Sequence, residues 1–119
     1  MPHGARIERV SEEFREILAE EIQRLKDPRV GFVTVTGVRV SPDLKHAWVY
    51  YTAFGDDRAR AGTRAALRSA TKHLRYELGH QVRLKFTPEL EFVEDDTLER
   101  GERIDRIIER IHHEVRDEA

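Results

Sequence analysis

Asp27-Pro28-Arg29-Val30-Gly31-Phe32-Val33-Thr34-Val35-Thr36-Gly37-Val38-Arg39-Val40 is where one periodicity stops and another starts. Proline disfavours a helical residue before it, so Asp27-Pro28 ends any helix that precedes it. Residues 31–40 are rich in β-branched and aromatic side chains, the composition of a strand. Val33 and Val35 fall on one alternation phase, Val38 and Val40 on the other. A bulge at Gly37 reconciles them, because one extra residue turns the following side chains back to the same face.

Upstream, Ile7, Val10, Phe14, Ile17, Leu18, Ile22 and Leu25 recur at helical spacing and predict a first helix. Downstream, Ser41-Pro42-Asp43-Leu44 predicts a turn, with proline presetting the dihedral of its second position, and 46–54 predicts a strand hairpinned to the first. Gly55-Asp56-Asp57 breaks that strand. Ala66, Leu67, Ala70, Leu74 and Leu78 then return to helical spacing, predicting a second helix of about five turns that ends near Gly79 in a left-handed cap.

Leu84, Phe86, Leu90 and Phe92 alternate with polar residues as a third strand, and Pro88 within it marks an edge or a bulge. Asp95-Asp96-Thr97 offers capping groups for a last helix carrying Leu98, Ile104, Ile107, Ile108, Ile111 and Val115. The expected order is α-β-β-α-β-α: one α+β domain, a three-stranded sheet with helices on one face, over residues 6–111. Residues 1–5 and 116–119 lack periodic apolar anchors and are expected to be flexible ends.

At 119 residues, a second independent core would leave each half too small to hold itself together. There is no cysteine, which excludes disulfides, thiolate nucleophiles and cysteine-held metals and suits a reducing cytosol. No run approaches the roughly 18 apolar residues of a membrane span.

The net charge of −2 hides an asymmetry. Residues 27–92 carry eleven bases and seven acids, whereas 93–119 carry five and ten. Within the basic part, Arg58, Arg60, Arg64, Arg68, Lys72, Arg75, Arg83 and Lys85 face the single acid Glu77. On a helical wheel Arg64, Arg68, Lys72 and Arg75 form one stripe beside the apolar arc. Like charges at i, i+4 repel by about 0.2 to 0.5 kcal/mol per pair, and no acid is interleaved to offset this. The first helix, by contrast, mixes signs, as in Glu12 and Arg15.

A polyanionic partner explains the stripe, with Arg83, Lys85 and His73 converging on the same phosphates. The plainer explanation is a solvated face. Trp48, Tyr50 and Tyr51 either stack on bases or pack in the sheet, the commoner role of strand aromatics.

His3, His46, His73, His80, His112 and His113 do not fall at metal-ligand spacing. There is no G-x-x-x-x-G-K-[ST], G-x-G-x-x-G or G-x-S-x-G, and pairs such as Glu12-Glu13 are better explained by solvation than by acid-base chemistry. No metal, no cofactor and no enzymatic activity are expected. The G-x-x-G phosphate clamp of ordinary KH domains is also absent.

The blocks Asp27 to Thr36, Val40-Ser41-Pro42-Asp43-Leu44, Ala47-Trp48-Val49-Tyr50, Leu74-Arg75-Tyr76-Glu77-Leu78-Gly79, Val82-Arg83-Leu84, Pro88-Glu89-Leu90-Glu91-Phe92 and Gly101-Glu102-Arg103-Ile104-Asp105 together resemble the ribosome-binding factor A family, in order and at its separations. The resemblance runs from about Arg6 to Ile111. It implies a type II KH-like fold and a cytoplasmic, non-catalytic factor, important in the cold. Such a factor binds 16S rRNA of the small (30S) ribosomal subunit during late maturation and precursor rRNA processing, and a monomer is expected.

In that family an Ala-x-Gly kink replaces the G-x-x-G loop between two central helices, and the matching positions here are Ala70-Thr71-Lys72. Lysine lacks glycine's conformational freedom, which argues against a sharp kink, while its charge adds a phosphate contact at the same place. The competing reading from another class is a protein-protein adaptor whose acidic C-terminal helix, 98–115, docks a basic partner.

Overall fold

The computed structural model describes residues 3–95, and within them the order is α1 (His3–Gln23), β1 (Val33–Val40), β2 (His46–Ala53), α2 (Asp57–Gln81) and β3 (Glu89–Glu94). The expected last helix lies outside the described residues. Phe14, Leu18 and Ile22, spaced one helical turn apart, are buried on the face that α1 turns to the core. Past α1, Asp27 Oδ1 accepts from the Arg29 backbone N–H at 2.9 Å, closing a short turn around Pro28.

The sheet order is β1-β2-β3, with β1 antiparallel and β3 parallel to β2. Val35 pairs with Tyr51 and Gly37 with Tyr50, so Thr36 is the extra residue of the expected bulge. That bulge is why Val35 and Val40 are both buried despite their opposite phases. The turn also forms as expected, the Leu44 N–H donating to the Ser41 carbonyl at 2.8 Å. Along β2, Ala47, Val49, Tyr51 and Ala53 are buried and join one core with Leu67, Leu74, Leu78 and Leu90. The partly exposed Trp48 and Tyr50 alternate with them on the opposite face of the sheet. Tyr51 is therefore core, and burial followed by the nearby Glu94 charge pushes its phenol pKa up.

Three expectations are corrected. The third strand starts only after Pro88: Leu84 and Phe86 lie outside it, and Phe86 is 63% exposed, so their alternation reflects no ladder. Arg83 and Lys85 accordingly sit on a connecting segment. Gly79 is helical rather than a left-handed cap, and α2 continues to Gln81, where the Val82 N–H closes the end onto the Leu78 carbonyl at 3.0 Å. Helix α2 is 25 residues long, about seven turns and not five. Beyond these corrections, Asp95 extends the β3 pairing by donating its N–H to the Tyr51 carbonyl, while its carboxylate accepts from Thr36 Oγ1 at 2.8 Å.

Candidate nucleic-acid interface

The basic face is held out by the way α2 is fastened. Asp56 caps it, its carboxylate accepting from the Ala59 N–H at 2.8 Å. Thr63, Ala66, Leu67, Leu74 and Leu78 are buried on its inner side. Thr63 Oγ1 accepts from the Gly31 N–H at 3.1 Å, tying the helix to the loop before β1. With that side fixed, Arg58, Arg64, Arg68 and Lys72 are exposed.

The seven predicted contact residues separate into four groups. Arg64 is paired: its Nη2 lies 2.9 Å from Glu94 Oε2, while Arg60 Nη2 lies 2.8 Å from Glu94 Oε1. Burial pushes the Glu94 carboxyl upward, but hydrogen bonds from Arg60 and Arg64 outweigh that and leave its pKa lowered. The offsetting acid that the local sequence lacks is supplied by β3. The repulsion along the stripe is therefore partly compensated, which corrects the expectation.

Arg75 is structural. Its Nη2 donates to the Thr87 carbonyl at 2.7 Å and its Nε to the Pro88 carbonyl at 3.1 Å, clamping the segment that leads into β3. His73 turns away from the stripe toward α1, where a nitrogen of its ring and carboxylate oxygens of Glu21 and Glu77 lie within 4.8 Å of one another. The spacing of histidines along the chain misses this group because one member comes from another helix. Glu21 already pairs with Arg24 at 3.1 Å and accepts from Gln81 Nε2 at 2.9 Å.

Arg68, Lys72, Arg83 and Lys85 remain: all exposed, and none paired with a carboxylate among the described residues. Lys85 Nζ lies 5.7 Å from the centre of the Phe86 ring. Between α2 and β3 runs an open groove of about 540 Å³, lined by Arg64, Arg68, Leu90 and Phe92 and by the acids Glu91 and Glu94 among others. With Arg64 held by Glu94, Arg68 is the lining cation left to meet a polyanion's backbone at this groove.

The family model described as ribosome-binding factor A matches residues 6–108. The chain belongs to the ribosome-binding factor A family. It is 48% identical to ribosome-binding factor A of Geobacter sulfurreducens over 110 residues, covering 92% of this chain and 93% of that one. The crystal structure of ribosome-binding factor A from Thermus thermophilus is similar with a TM-score of 0.64 and 37% identity, over 72% of this chain and 92% of that one. A homology model of the Thermus thermophilus factor, fitted into a cryo-EM map of a 30S–RbfA complex, is similar with a TM-score of 0.60 and 38% identity, over 70% and 88% of the two chains.

Within this chain, Ala70-Thr71-Lys72 lies inside the one continuous helix α2. Thr71 Oγ1 donates to the Leu67 carbonyl at 2.9 Å, satisfying its hydroxyl within the helix. Lys72 is exposed at the position where the family's glycine is expected. The acidic segment 98–115 of the adaptor reading lies outside the described residues. Sequence reasoning missed Glu94 and its pairing with Arg60, which depends on a contact between β3 and α2 that no local pattern reveals. It also missed the exposed aromatic rings of Tyr76 and Phe86 beside the cations.

Proposed function

We propose that the protein binds the 16S rRNA of the small (30S) ribosomal subunit during late maturation and precursor rRNA processing, as a cytoplasmic factor that catalyses no reaction. The observation that carries this reading is the pair Arg68 and Lys72. They are neighbouring cations one turn apart on a rigid helix, exposed and without a carboxylate among the described residues. Two such charges repel, and phosphates relieve that repulsion while releasing counterions. Membership of the ribosome-binding factor A family and the likeness to the factor fitted in a 30S complex support the small subunit as the partner.

Sedimentation with purified particles tests it. The protein is expected to travel with free or immature small subunits and less with assembled ribosomes. Equal binding to every particle, or to none, contradicts the reading.

A further inference from the structure

The segment between α2 and β3 does more than connect them. It folds back over the second half of α2 and borders an open cup of about 530 Å³ with Lys72, Tyr76 and His80 on one side and Lys85, Phe86 and Thr87 on the other. Two features build the cup. Arg75 clamps the Thr87 and Pro88 carbonyls, and Gly79 admits the segment against the helix, since a Cβ there would meet Thr87 Oγ1 at 2.5 Å.

Its walls are unusual for a surface. Tyr76 is 60% exposed and Phe86 63%, although either ring would gain by burial. The Tyr76 and His80 rings lie 4.1 Å apart, tilted by 35°, as a pre-stacked pair. Lys72 and Lys85 supply the charge at the rim, whereas Arg75 is taken up by the Thr87 and Pro88 carbonyls and by Glu89 at 3.5 Å; no carboxylate lines the cup itself. Aromatic faces flanked by cations and free of acids match a nucleotide, in which a flat base is joined to a phosphate. A paired base cannot present its face to a side chain, so the occupant must be unstacked.

We propose that this cup holds one unpaired nucleotide of RNA, its base against Phe86 and the Tyr76–His80 pair and its phosphate between Lys72 and Lys85. The inference rests on the rRNA-binding reading and deepens it: the α2 stripe follows phosphates, whereas the cup selects a single-stranded site.

The test uses the full chain and a mixed-sequence RNA dodecamer, offered single-stranded and as the duplex with its complement, and measures affinity against salt. Tyr76→Ala with Phe86→Ala is expected to weaken single-strand binding roughly ten-fold or more, since base stacking on a ring contributes about that much. The salt slope should stay the same, because no ionic contact is lost. Tyr76→Phe with Phe86→Tyr should keep wild-type affinity, and duplex binding should not respond to either change. Thermal melts of both variants check that the exposed rings are dispensable for folding.

Unchanged single-strand affinity, or an equal loss on duplex, overturns the cup. So does a loss confined to small-subunit binding with single-strand affinity intact, which would identify a protein contact. If the wild-type chain ignores small subunits yet shows the ring-dependent single-strand binding, the ribosomal reading fails and the cup stands.

Discussion

Glu94, on the edge strand β3, accepts an ion pair from Arg64 of α2 across 2.9 Å, so the first cation of the basic stripe is neutralised from thirty residues away. The Glu94 side chain is only 19% exposed and holds Arg60 as well, which gives the pair more weight than a surface bridge. Glu94→Gln removes the charge that restrains Arg64. The expected outcome is a loss of about 1–2 kcal/mol in stability, together with tighter RNA binding and a steeper salt slope, because Arg64 becomes available to phosphate. Chemical denaturation and binding titrations on the same variant check both.

The same carboxylate predicts how stability responds to acid. Its pKa in the folded protein is lowered below the ordinary 4.5, burial being outweighed by Arg60 and Arg64. A lowered folded value means that the contribution is fully present above 4.5 and is lost as pH falls through the folded value. Melting temperatures from neutral pH to about pH 3 should fall for the wild type, and less steeply for Glu94→Gln. Parallel curves would contradict the assignment.

Gly79 reverses a common rule. Glycine to alanine inside a helix ordinarily stabilises by about 1 kcal/mol, but here the added methyl group meets Thr87 Oγ1 at 2.5 Å. Gly79→Ala should therefore destabilise, by about 1–3 kcal/mol. Removing the obstructing hydroxyl with Thr87→Ala should recover much of the loss in a double-mutant cycle.

Much of the fold was legible because its signals are local. The phase change between Val35 and Val38 announces the bulge and Ser41-Pro42 makes the turn, although α1 already ends at Gln23, ahead of the Asp27-Pro28 stop. Pro88 pointed to an edge strand, which β3 is, yet the alternation of Leu84 and Phe86 imitated a strand that the Arg75 clamp holds as a connection. Gly79 has a capping residue's identity but serves close approach, a distinction set by Thr87 eight positions on. The stripe itself was visible on a helical wheel. Which of its members are unpaired was not, because Glu94 comes from a strand and the Thr87 carbonyl from a connection.

The most direct test of the account concerns Arg68 and Lys72, the stripe's two exposed cations without a carboxylate among the described residues. Small-subunit and rRNA-fragment binding is titrated against salt for the wild type and for Arg68→Gln with Lys72→Gln, with thermal melts of both proteins alongside. If both side chains meet phosphates, affinity drops and the dependence of log affinity on log salt becomes shallower by about two contacts at roughly 0.7 to 0.9 each. The melting temperature should hold or rise as repulsion is relieved. An unchanged salt slope with unchanged affinity would contradict the claim, leaving the stripe as nothing more than a solvated face.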